Sequence, residues 1–179
     1  MFELDRNGWR MKEKILVILA VIVCLGTLAF LPDFINSIGT SEKNLLSYDI
    51  EMSKVSAGYR SVMAVTDDVA AILHYNNDKT DYDFSVYVNY PGFDFGYHFR
   101  TGGSISDIET GVAVLSNIHE EGTILLSLNK PQVSRIEIYG AEAQIIGIDE
   151  NEPFVVIVPS KFEFKIFDIN NNETLYRPL

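Results

Sequence analysis

Three histidines, His74, His98 and His119, are the side chains of this 179-residue chain best suited to moving protons near neutral pH. Their spacing contains no H-x-H or H-x-x-x-H pair, the arrangement that would bring two imidazoles to one zinc ion. A serine nucleophile needs a histidine and an acid brought together in space, and the chain has many residues that could form such a set. No G-x-S-x-G elbow marks one of them. The single cysteine, Cys24, lies inside an apolar run, which removes thiol chemistry from everything downstream. The expectation is a protein with no catalytic residue, no cofactor and no metal site.

Oxygen-rich clusters point the same way. Asp168-Ile169-Asn170-Asn171-Asn172-Glu173 alternates oxygen-bearing side chains as a calcium loop does, but lacks the sharp-turn glycine and the distal bidentate glutamate. A polar hairpin loop is expected there. Asp78, Asp81 and Asp83, and likewise Asp149, Glu150 and Glu152, have no ordered ligand spacing and read as solvated turns.

The most unusual stretch is Tyr82 to Gly103, YDFSVYVNYPGFDFGYHFRTGG. Alternation puts Phe93, Phe95, Tyr97 and Phe99 on one side of a strand and Asp94, Gly96, His98 and Arg100 on the other. On the preceding strand Phe84, Val86, Val88 and Tyr90 form the apolar set, and Asp83, Ser85, Tyr87 and Asn89 the polar one. Pairing the two polar sets gives a face of Tyr87, Asn89, Asp94, His98 and Arg100, suited to a peptide or a sugar. Arg and Tyr are frequent at binding hot spots, so this is the candidate partner-binding face. The competing reading is a solvent face on which Arg100 pairs with Asp94. If the face is exposed, removing Arg100 and Tyr87 should cost no more than about 1 kcal/mol of stability.

These residues must be positioned by strands. Short apolar runs recur between turn signals: Tyr59 to Val65, Val69 to Tyr75, Tyr82 to Tyr90, Phe93 to Arg100, Thr123 to Asn129, Val133 to Tyr139, Ala143 to Ile148, Phe154 to Val158, Phe162 to Ile169 and Thr174 to Arg177. In Phe162, Phe164 and Ile166 the apolar residues are two apart, with Glu163 and Lys165 between them, which makes a strand with one wet face. Between the fourth and fifth runs the signals conflict. Ser106-Asp107-Ile108-Glu109 matches a helix capping box, and Ile108, Val112, Leu115 and His119 share a helical face. Thr110, Gly111, Val112 and Val114 are poor helix formers, and strand is the expected state. The fold class expected is mainly β: a single antiparallel sandwich or barrel-like domain of roughly ten short strands, preceded by one transmembrane helix.

That helix is read from Ile15 to Leu31, ILVILAVIVCLGTLAFL, a run without charge that nearly spans a hydrocarbon core of about 30 Å. A cleaved signal peptide followed by secretion is the alternative, with Thr27-Leu28-Ala29 as its cutting site. Arg6, Arg10, Lys12 and Lys14 precede the run and the next basic residue is Lys43, so the N-terminus is expected in the cytoplasm. The resulting plan is a basic tail over 1–14, an anchor over 15–31, a linker over 32–44 and an extracytoplasmic β domain over 45–179.

Three of the 25 acids and four of the 14 bases precede residue 32, which leaves 22 acids against 10 bases, a formal net charge of −12. Nucleic acid is excluded as a partner by that sign. The plan resembles the anchored, cysteine-poor envelope proteins of bacteria, a resemblance that rests on anchor and composition and assigns no residue a role. The functional expectation is a non-enzymatic module, held to the membrane by its N-terminal helix, that binds an envelope protein or organises an envelope complex. A carbohydrate- or wall-binding domain comes next, and a hydrolase with a site invisible in the sequence third. A histidine, a nucleophile and an acid meeting at a pocket would favour the third.

Overall fold

A computed structural model describes residues 16–21, 38–90, 96–118, 122–140, 142–174 and 176–178. Leu16 to Val21 are helical and exposed. The remainder of the expected anchor, the basic tail, Pro32 to Ser37, Asp94 and His119 lie outside the described residues. Among those described, no helix is long and apolar enough to cross a membrane.

Gly39 to Leu179 form one compact unit. It opens with helix α1 (Glu42–Met52), so residues 42–44 of the expected linker belong to the helix's first turn. Four strands follow and pair in sequence order: β1 (Arg60–Val65), β2 (Val69–Tyr75), β3 (Tyr82–Asn89) and β4 (Tyr97–Gly103). The turns are where short polar residues allow them. Thr66 Oγ1 accepts from the Val69 amide between β1 and β2, and Asn76 Oδ1 accepts from the amides of Thr80 and Asp81 between β2 and β3. Next comes the segment with conflicting signals, which divides at Gly111. One helical turn, α2 (Ser106–Thr110), precedes it, and strand β5 (Ala113–Ile118) begins just beyond. The helical turn begins one residue earlier than the capping box would place it, with Ile105 at the N-cap and no side-chain cap, and its β-branched continuation does not extend it.

The chain then lays down β6 (Gly122–Ser127), β7 (Val133–Tyr139), β8 (Gln144–Gly147), β9 (Phe154–Pro159), β10 (Glu163–Asp168) and the two-residue β11 (Arg177–Pro178). These form two further sheets, β11-β5-β6-β9 and β10-β7-β8. All pairings are antiparallel except that of β11 with β5. The protein is therefore mainly β, with its strands in three sheets rather than the two of a simple sandwich.

Alternation along the strands shows why three are needed. Val69, Ala71 and Leu73 of β2 and Phe84 and Val86 of β3 pack with Ala113, Leu115, Ile124, Leu126 and Val155 of the second sheet. The intervening residues of that second sheet, Val114, Leu125, Phe154, Val156 and Val158, pack with Val133, Ile136, Ile138 and Ile166 of the third. On the outer side of the first sheet, Ala70, Ile72, Tyr87 and Tyr97 meet Leu45 of α1. The layers run helix, sheet, sheet, sheet. β2 and β6 are apolar on both faces because both faces are covered.

Candidate functional site

In α1, Leu45 and Asp49 stand one turn apart on the buried face of the helix. Leu45 sits on the apolar end of the first sheet, and Asp49 on its polar end. Register brings Ser61 of β1 opposite His74 of β2, and His74 opposite Asp83 of β3, with Ser85 and Tyr87 following on the same face. Asp49 Oδ2 lies 2.6 Å from His74 Nε2, and Ser61 Oγ lies 2.7 Å from His74 Nδ1. The other carboxylate oxygen of Asp49 accepts from Tyr87 Oη at 2.6 Å and from Ser53 Oγ at 3.3 Å. Asp49 and His74 are completely buried, while Ser61 is half-buried on an edge strand.

A buried carboxylate needs this many donors. Burial alone would raise the pKa of Asp49, but hydrogen bonds with His74, Tyr87 and Ser85 outweigh it and hold the carboxyl below the usual carboxylate range. The same contact acts in the opposite sense on Tyr87. Burial, and then the hydrogen bond to ionised Asp49, push its phenol well above the ordinary tyrosine value.

Two cavities flank the C-terminal end of α1. One, of about 160 Å³, is bounded by Ser53 to Ser56, Tyr59, His74 and Asp81 to Asp83. Tyr59 donates to Asp81 across it, a bond that raises the tyrosine's pKa. The other, of about 270 Å³, is lined by Tyr48, Met52, Ser53, Tyr87 and Phe99. Its rim is apolar and open: Met52 is 61% exposed, Phe99 60% and Tyr48 40%.

The residues of the expected binding face are distributed between these surroundings. Tyr87 and Asn89 do share a face, but their partners across β4 are Phe99 and Tyr97, whereas His98 is opposite Val88 on the other side. Tyr87 is 1% exposed and meets Phe99 edge to face at 5.7 Å, so it forms the floor of the groove and not an open surface. Asn89 Nδ2 donates to the Asp67 carbonyl. Arg100 is exposed at the irregularity where β3 pairing steps from Thr101 to Phe99. Asp94 lies outside the described residues. His98 Nε2 is buried with no hydrogen-bond partner among the described residues, tucked under Gly39 where an added Cβ would come within 2.7 Å of it. That closeness lets Thr40 exchange backbone hydrogen bonds with Tyr97.

The expected polar loop at Asp168 is a turn closed by its own side chain, in which Asp168 Oδ1 accepts from the amides of Asn170 and Asn172 at 2.8 Å each. These bonds, with the Asn172 backbone contact foremost, hold its carboxyl below the usual range.

Sequence reasoning did not single out Asp49, Ser61 or the role of His74. A signal existed. An acid one turn from Leu45 on an apolar helical stripe, and a histidine in phase with Ala70 and Ile72, are buried polar groups that each need a partner. Comparison with protein-family models, with curated proteins and with solved structures finds no match for this chain.

Proposed function

We propose that this chain is a membrane-tethered, extracytoplasmic module that binds a protein partner of the envelope, and that the groove between α1 and β4 receives an apolar side chain of that partner. The observation that carries the reading is the open aromatic and thioether rim of Tyr48, Met52 and Phe99 around a cavity floored by Tyr87. Such a rim offers rigid apolar area at low conformational cost, the property that makes aromatic residues binding anchors. The tether and its orientation rest on the uncharged run of residues 15–31 and the four bases before it.

A photo-crosslinking residue placed at Phe99 in intact cells is expected to capture one envelope protein, and Phe99 is exposed enough to be replaced without unfolding the domain. Capture should disappear when Met52 is changed to Asp. A crosslinker at exposed Ile145, on the third sheet, serves as the control and should not capture the same protein. Equal capture from both positions, or none from Phe99, would overturn the assignment of the groove. A carbohydrate reading is favoured by the exposed rings of Tyr48 and Phe99, and retention on wall polysaccharide that Phe99→Ala abolishes would put it first.

A further inference from the structure

The chain of contacts from Asp49 through His74 to Ser61 carries an inference that goes beyond partner binding and does not rest on it. Its proton positions depend on how many protons the imidazole carries. An ionised carboxylate only accepts, so the 2.6 Å contact with Asp49 is donated by His74 Nε2–H. When the ring carries only that proton, Nδ1 holds a lone pair, and the 2.7 Å contact there is donated by the Ser61 hydroxyl. A hydroxyl is thus bonded to a base, and the base is oriented by a buried acid. Tyr87 and Ser53 in turn fix the acid.

We propose that Ser61 is a nucleophile toward small carboxylic esters, with His74 as its general base and Asp49 as the residue that positions His74. The ring is used the opposite way round from the serine proteases, in which Nε2 faces the serine. Either nitrogen serves once the carboxylate has fixed the proton on the other. Ser61 Oγ attacks the ester carbonyl carbon while its proton passes to His74 Nδ1. The bond from that carbon to the alcohol oxygen then breaks, and the alcohol leaves with the proton from His74. Water adds to the acyl carbon by the same route, releasing a carboxylic acid and restoring the Ser61 hydroxyl.

The adjoining cavity of about 160 Å³ has His74 in its wall together with Asp81 and Asp83, which selects small esters that are neutral or cationic. Ser61, half-buried on the edge strand, reaches that cavity only through the His74 ring to which it is hydrogen-bonded, so the test reads acylation of Ser61 itself.

The full chain is treated with p-nitrophenyl acetate and, separately, with an alkyl fluorophosphonate, and the modified residue is located by peptide mass mapping. The expected result is one acyl or phosphonyl group per chain, on half-buried Ser61 in preference to exposed Ser47 and Ser104. Ser61→Ala should remain unmodified at that peptide. His74→Gln should slow labelling about 100-fold or more, the lower range for a general base, while keeping a native far-UV circular dichroism spectrum. Should that variant unfold, the preference of the native chain for Ser61 over Ser47 and Ser104 still decides the matter. Ile145→Ala, an exposed change on the third sheet, should label at the native rate. No label on Ser61 in the native chain, under conditions that modify a known serine hydrolase, overturns the proposal. So does an unchanged labelling rate in a folded His74→Gln variant.

Discussion

Arg100 and Tyr87, different in type but alike in binding potential, separate completely once their surroundings are known. Arg100→Ala should change stability by no more than about 0.5 kcal/mol, as for an exposed site away from special geometry. Tyr87→Phe should cost about 1.5–3 kcal/mol, because it deletes a hydrogen bond to a buried charged group. Urea denaturation of the two variants checks the contrast. Asp49 makes a further prediction. Its folded pKa lies below the ordinary value of 3.8, so the stability it adds is complete above that value and is lost as pH falls through the depressed one. Asp49→Asn should therefore flatten the acid limb of the stability profile below about pH 4, as followed by thermal melts across pH. Residue types were legible in the sequence at this scale, but environment was not. Alternation assigned Ser85 and Tyr87 to a common face correctly, yet nothing local to β3 says that a helix covers it.

At the scale of elements, that helix is the main difference between expectation and structure. The strand limits were readable because polar turn residues bracket them: Asp67-Asp68 does end β1 and begin β2 as expected. The helix was not, since the segment from Leu45 to Met52 reads as an amphipathic stripe only if Asp49 is accepted on its buried side. Once α1 is in place, the outer face of the first sheet becomes a second core, and Tyr97 and Phe99 turn toward it with Tyr87. His98 is thereby sent to the opposite side. Leu45→Ala, at a fully buried contact, should cost about 2–5 kcal/mol. It should also raise the exchange rate of the α1 amides more than those of β6, measured by hydrogen exchange, because it weakens the attachment of one layer.

Across the whole molecule, protection should follow the layering. β6 has a strand on either side and a sheet against either face, so the amides of Ile124 to Leu126 should exchange only through global unfolding. The short edge strand β8, mostly exposed, should exchange by local opening. Equal protection of the two would contradict the central position of the second sheet. A mainly β composition was evident from runs and turns. The number of sheets was not, because an apolar run such as TILLSL is compatible with a sandwich strand or with a strand covered twice.

The first sheet is made of four strands consecutive in sequence, whereas β6 must wait for β9 and β7 for β10. During synthesis the N-terminal half can therefore form its hairpins as soon as β4 emerges from the ribosome, but its inner face of Val69, Ala71, Leu73, Phe84 and Val86 then has nothing to cover it. The second and third sheets are interleaved along the chain and cannot mature one after the other. Chains halted after Gly103 should accordingly be recognised by chaperones and prone to aggregate, and release from that state should coincide with the arrival of β9, the strand that closes the middle sheet.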